Sequence, residues 1–191
     1  MVMKKFVYTI MTVVLFPYYL AYQRAENKEV IDADLAVMSK HFSIQLGGAR
    51  LLIYALINNR YYRNIFYSRI STSYRWLRVI LRQERTFFPC KNIGPGVYPA
   101  HPYSTILHAQ SIGSNFSFRQ CTTIGNKRDG SNEDLPIIGN NVTVGANVCI
   151  IGSISIGDNV QIGAGSVVVK DIPSNSIAVG NPARVIKSID N

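Results

Sequence analysis

Between Ile106 and Val168 an aliphatic or aromatic residue recurs every six positions, with one wider step after Ile124. The series is Ile106, Ile112, Phe118, Ile124, Ile138, Val144, Ile150, Ile156, Ile162 and Val168. Glycine follows it at Gly113, Gly125, Gly139, Gly145, Gly157 and Gly163. A second apolar series comes four residues after several of these positions, at Phe116, Val142, Val148, Ile154 and Val160. An amphipathic helix would repeat near 3.6 and a lone strand near 2. A period of six fits a short strand plus a turn. Three such units close a triangular coil, and coils stack at a strand spacing of about 4.8 Å. Each coil then buries its aliphatic residues only against its neighbours. The Gly and Asn residues take the bends, where a positive φ costs them little. This register points Ile106 inward with the rest of its series.

The wider step holds a polar loop, Asn126 to Asp134, after which the phase returns. The loop is therefore an excursion from the coil, of the kind that carries function or is mobile. Ile93, Gly94 and Gly96 open a first, irregular coil. Lys170-Asp171-Ile172-Pro173 leaves the last one, and Gly180 to Ile186 follows as a terminal segment.

Upstream the pattern changes to helical. Residues 26–58 read as helix, with Asp32 or Asp34 as a cap and Gly47-Gly48 as a break. A short apolar helix through Leu51, Leu52, Tyr54, Ala55, Leu56 and Ile57 ends near Asn58-Asn59. Residues 60–85 hold Arg60, Arg63, Arg69, Arg75, Arg78, Arg82 and Arg85. The last four fall near one helical face, and Leu77, Ile80 and Leu81 fall toward another. Residues 6–22 carry no charge and follow Lys4-Lys5. They are at the lower limit for a membrane span, with Pro17 inside, and show no A-x-A-like cleavage site near Ala21. Their aromatics suit a membrane interface; the alternative is a helix packed on the protein. The expected organisation is a basic helical region (1–88), a parallel β-helix (89–172) and a C-terminal segment (173–191). The fold class is mainly β.

Composition sharpens this picture at two points. The 191 residues are 47% hydrophobic, enough for a core and for one or two domains. The net charge is +9, and residues 1–100 hold 14 Lys+Arg against 5 Asp+Glu, while residues 101–191 hold 6 of each. The excess is confined to the first half and points to an anionic partner there, such as a membrane surface or phosphates. No recognisable nucleic-acid motif accompanies it, so nucleic acid is not expected. Cys90, Cys121 and Cys149 form an odd set without metal spacing and read as free thiols in a reducing compartment.

The repeat resembles the hexapeptide-repeat acyltransferases. The resemblance implies a left-handed parallel β-helix, a homotrimer, and acyl-CoA bound between subunits. Residues 88–188 are similar to the serine acetyltransferase branch through His101, Gln120 to Lys127, the polar loop ending at Pro136, Ile162 to Val168, Lys170 to Pro173 and Gly180 to Arg184. Transfer of an acetyl group to a hydroxyl needs a base near neutrality, which histidine supplies. The resemblance makes His101 that base, and acetyl-CoA the cosubstrate. It assigns Gly145, Ala146, Gly163 and Ala164 to a narrow groove for the pantetheine arm. Lys170, Arg184 and Lys187 are the residues expected to meet its phosphates. His41 reads as structural and His108 as a solvated turn residue. No metal is expected: zinc enzymes of this fold use three histidines from coil turns, and only His101 and His108 are near the coils.

The departures from that branch concern the acceptor. Serine acetyltransferases have an aspartate at Ala100 that helps hold serine, and a histidine at Leu135. Their aspartate that orients the catalytic histidine falls at Thr86, with Glu84 as a nearby substitute. Losing buried partners for a charged amino acid costs several kcal/mol of recognition. The expected activity is therefore O-acetyl transfer from acetyl-CoA to a sugar hydroxyl, in surface polysaccharide or lipid-linked glycan biosynthesis. Serine O-acetylation for cysteine biosynthesis is the alternative, and a non-catalytic scaffold a third reading. The expected location is cytoplasmic, peripheral at the inner membrane face, with membrane contact through 6–22 and 60–85.

Overall fold

The computed structural model describes residues 14–82, 88–90, 92–128 and 133–189. The chain divides into two compact units, Met1–Gln83 and Glu84–Asn191.

The first unit contains α1 (residues 14–23), α2 (Lys28–Phe42), α3 (Gly48–Asn58), α4 (Arg60–Arg69) and a 3₁₀ helix (Thr72–Val79). Leu15, Tyr18 and Tyr22 recur at helical spacing on α1 and are buried with Ile31, Leu35, Leu52, Leu56, Phe66 and Leu77. The Tyr18 hydroxyl donates to the Leu77 carbonyl (2.6 Å) and accepts from the Leu81 N–H (3.0 Å). The described half of the apolar run 6–22 thus turns one stripe into the helical core, and residues 6–13 lie outside the described residues. Among the described residues no helix is long and apolar enough to cross a membrane.

Two readings of this unit are corrected. Asp32 and Asp34 do not cap a helix, because α2 already starts after Asn27. Asp32 accepts the Tyr22 hydroxyl, and Asp34 is buried and paired with Arg69 at 3.1 Å. Arg75, Arg78 and Arg82 do not share an α-helical face either: the first two lie in the 3₁₀ helix and Arg82 past its end. α4 ends at Arg69, and Ser71 starts the 3₁₀ helix by accepting from the Ser73 N–H. Part of the basic charge is used internally. Arg63 binds the carbonyls of Leu56, Ile57 and Arg82, and Arg78 lies over the Tyr67 ring. Arg85 lies outside the described residues.

In the second unit the strands are β1 (Tyr98–Ala100), β2 (Ile106–Leu107), β3 (Ser111–Ile112), β4 (Ser117–Arg119), β5 (Thr123–Gly125), β6 (Ile137–Ile138), β7 (Thr143–Val144), β8 (Cys149–Ile151), β9 (Ser155–Ile156), β10 (Gln161–Ile162), β11 (Val167–Val168), β12 (Ser176–Gly180) and β13 (Ala183–Ser188). They form three sheets, ordered β1-β4-β7-β10-β12-β13, β2-β5-β8-β11 and β3-β6-β9. These are the three faces of a left-handed parallel β-helix. All ladders are parallel except β12 with β13, which closes the first face. Regular coils advance 18 residues, as in Thr143 to Gln161 and Cys149 to Val167. The coil carrying the loop advances 26, as in Ser111 to Ile137.

The inward residues are those of the six-residue series, with one exception. Ile106 is 41% exposed, whereas Leu107 is fully buried and pairs with Ile124. Ile106 falls six residues before Ile112 by coincidence, because the first coil is cut to a different length.

The corner between the third and first faces is closed by its own side chains. Asn115 donates to Asn141, Asn141 to Asn159 and Asn159 to Asn175, at 2.8–2.9 Å. All four are at positive φ, which asparagine tolerates. Beside them a Cβ on Gly139 would come within 2.8 Å of the Gly157 backbone, so only glycine stacks there.

Candidate active site

At the corner between the first and second faces, regular coils take six residues from one inward position to the next: Phe118 to Ile124, Val144 to Ile150, Ile162 to Val168. The first coil takes eight, from Pro99 to Leu107. The next corner takes five, from Leu107 to Ile112, which produces the register slip at Ile106. Hydrogen bonds locate the two extra residues. The Cys121 N–H donates to the Tyr103 carbonyl (2.8 Å), as Asn147 does to Gln120 (3.0 Å) and Gly165 to Ala146 (2.8 Å). Tyr103 therefore occupies the place of Gln120, and Ala100 pairs with Arg119. Between Ala100 and Tyr103 stand His101 and Pro102, without counterparts in the other coils.

This inserted pair is shaped to present a side chain. Pro102 is buried and His101 is exposed. The Tyr103 N–H folds back onto the His101 carbonyl at 2.7 Å. His101 has φ 55. Each regular corner has one residue in that region: Cys121, Asn147 or Gly165. Ser104 holds the equivalent place in the first coil, so His101 is an addition. A left-handed non-glycine residue costs on the order of 1–3 kcal/mol, and such residues concentrate at functional sites.

Gln120, Ala146 and Ala164 continue this corner in successive coils, flanked by Arg119, Gly145 and Gly163. The corner is held from within. Thr122 Oγ1 donates to the Arg119 carbonyl (2.8 Å) and Ser166 Oγ to the Gly163 carbonyl (2.6 Å). Outside, the lower coils show Gly145, Ala146, Gly163, Ala164 and Gly165, with Asn147 exposed beside them; the run of small residues suits a narrow ligand arm. Gly145 and Gly163 also have a duty to the fold. A Cβ on Gly145 would lie 2.6 Å from the Ala164 nitrogen, and one on Gly163 would lie 2.7 Å from Val179.

The three expected phosphate-binding residues divide between two places. Arg184 and Lys187 are exposed on β13, opposite Val179 and Ile177, five ladder steps from β1 or roughly 24 Å at strand spacing. Lys170 is exposed past β11, at the next corner, where Asp171 accepts the Ser155 N–H at 2.8 Å. His108 is at that second corner too; its N–H donates to the Ile124 carbonyl at 2.9 Å. Thr86, Glu84 and residues 129–132 of the polar loop lie outside the described residues. Leu135 is buried. Among the described residues no group of three His, Cys, Asp or Glu could hold a metal.

One residue beside His101 escaped the sequence reading. Arg119 is exposed, on the outer side of β4, since Phe118 points inward. It lies near Tyr98: burial pushes the Tyr98 phenol up, and the Arg119 charge pulls it the other way. The signal was strand alternation around Phe118, readable once the register is known.

Residues 136–170 match the family of bacterial transferase hexapeptide repeats, described as six repeats. The chain is 40% identical over 106 residues to serine acetyltransferase 3, mitochondrial, of Arabidopsis thaliana, covering 55% of this chain and 27% of that protein. It is 45% identical over 86 residues to the putative colanic acid biosynthesis acetyltransferase WcaB of Escherichia coli (strain K12), covering 44% of this chain and 52% of the relative. The chain thus spans about half or less of the length of these relatives. In structure the chain is similar to serine acetyltransferase (CysE) of Neisseria gonorrhoeae, with TM-score 0.71 and 26% identity, covering 90% of this chain and 71% of that one.

Proposed function

We propose that this protein is an acetyl-CoA-dependent O-acetyltransferase whose acceptor is a sugar hydroxyl. The observation that carries the reading is the inserted His101-Pro102 pair, which heads the corner that the small residues Gly145, Ala146, Gly163 and Ala164 continue in the lower coils. These small residues fit a pantetheine arm, and Arg184 and Lys187 fit its phosphates at the far end of the face. Acetyl-CoA held there supplies the thioester that the acceptor oxygen attacks. His101 takes the proton from that hydroxyl as the oxygen attacks, and returns it to the departing sulfur. Coil-turn N–H groups are the expected donors to the oxyanion. The chain acts as a homotrimer, so that a neighbouring subunit closes the outer side of the corner. A monomer by light scattering would overturn that arrangement. The cytoplasm supplies acetyl-CoA, and we place the protein there, at the inner membrane face.

A sugar acceptor is favoured by what stands at Ala100 and Leu135: a methyl group and a buried aliphatic chain have nothing to bind an amino acid's charges. The likeness to the WcaB relative also supports it. A second reading, serine O-acetylation, is favoured by the longer alignment with the plant serine acetyltransferase, 55% of the chain against 44%. Purified protein with acetyl-CoA, offered nucleotide sugars, lipid-linked oligosaccharide and free L-serine, separates the two. Preferential acetylation of serine rejects the sugar.

A further inference from the structure

We infer that Arg119 forms an anion subsite beside His101, and that the acceptor carries a carboxylate or phosphate next to the hydroxyl that is acetylated. This deepens the acyl-transfer reading and rests on it. Arg119 is directly across the ladder from Ala100, the residue that precedes His101. Both neighbours of Arg119 on the outer face are small: Ala100 on one side and Gly145 on the other. The guanidinium therefore has room over either. Tyr98 pairs with Ser117 on the same outer surface, and Thr143 follows in the next coil. The side chains around Arg119 are thus a phenol and two hydroxyls, all able to donate. No Asp or Glu occurs on β1, β4 or β7, nor in the corner residues 101–105, 120–122 and 145–148. Among the described residues Arg119 has no carboxylate partner. A guanidinium with no carboxylate partner among the described residues, beside hydroxyl groups and one strand spacing from the strand that leads into His101, recognises an anion, with two parallel N–H···O bonds available to a carboxylate or phosphate. The same charge disfavours an acceptor that brings an ammonium group to Ala100.

The test uses the full chain with acetyl-CoA and four acceptors: glucose, glucuronic acid, glucose 1-phosphate and L-serine. Glucuronic acid and glucose 1-phosphate distinguish a carboxylate from a phosphate. The expected result is a kcat/KM at least about tenfold higher for one of the anionic sugars than for glucose, expressed mainly in KM. Arg119→Ala should bring that ratio close to one, and Arg119→Lys should keep part of it; circular dichroism establishes that both variants fold. A wild-type ratio near one, or a ratio that Arg119→Ala leaves unchanged, overturns the subsite while leaving sugar acetylation in place. Serine turned over faster than every sugar overturns both readings, as does transfer to none of the four.

Discussion

Two corners of the β-helix have the same backbone and opposite uses of their side chains. Where the third face meets the first, the turn residues satisfy one another. The Asn115, Asn141, Asn159 and Asn175 amides form a continuous ladder, and Asn140, Asp158 and Ser174 accept the backbone N–H groups beside it. Where the first face meets the second, the hydroxyls of Thr122 and Ser166 face inward and hold carbonyls. The outward positions there are Gln120, Ala146 and Ala164, topped by a two-residue insertion that strains a histidine. Stacking explains the first corner completely. It explains Gly145 and Gly163 at the second, but it does not explain His101. Chemistry belongs where the fold leaves residues without a structural reason.

The largest effect that sharpens this contrast is on turnover. His101→Ala should lower kcat by about 10²–10⁴-fold, the usual worth of a general base. The KM for acetyl-CoA should change little, and the unfolding free energy should fall by no more than about 1–2 kcal/mol, the cost of an alanine at φ 55. Stopped-assay kinetics and urea unfolding on the same preparation check both. A stability loss matching the activity loss would make His101 one more structural turn residue.

The mirror experiment is Asn141→Ala. It removes two amide bonds of the ladder and puts alanine at φ 55. Each lost bond costs about 0.5–1.5 kcal/mol and the left-handed alanine about 1–2 kcal/mol more. We expect a loss of about 2–5 kcal/mol in urea unfolding with kcat/KM retained by the folded fraction. A smaller effect is expected at Ala164→Leu, which adds bulk to the bare corner. The KM for acetyl-CoA should rise about tenfold, equivalent to about 1.4 kcal/mol, with the unfolding midpoint almost unmoved. An unchanged KM would move the pantetheine arm away from this corner.

The contrast between corners was only partly legible in the sequence. The six-residue period gave the coil because each repeat buries its own aliphatic residue, from Ile112 through Val168. His101 was found by resemblance, and the residues around it gave no hint that it is an insertion. The asparagine ladder was hidden by uneven steps: its members are 26, 18 and 16 residues apart and align only once the loop and the last turn are placed. Arg119 looked like any exposed strand residue until the register set it against Ala100. In the helical unit the burial pattern was readable, but the pairing of Asp34 with Arg69 across 35 residues was not. A buried ion pair has no periodicity, and its carboxylate was instead read as a cap.

The smallest predicted effect tests the insertion itself. Ile106 keeps the six-residue phase in sequence but is 41% exposed, and Leu107 fills the core in its place. With His101 and Pro102 both inserted, Ile106→Ala should cost at most about 0.5 kcal/mol, as at other surface sites. Were only one residue inserted, the phase would shift back by one, Ile106 would face the core, and the same change would cost about 2–5 kcal/mol. Urea unfolding resolves the two values easily. A large loss would straighten the first corner, return its turn to nearly regular geometry, and remove the reason His101 projects from it. A negligible loss keeps the first-coil corner two residues wider than its neighbours, which is what distinguishes the histidine's turn from every other turn in the stack.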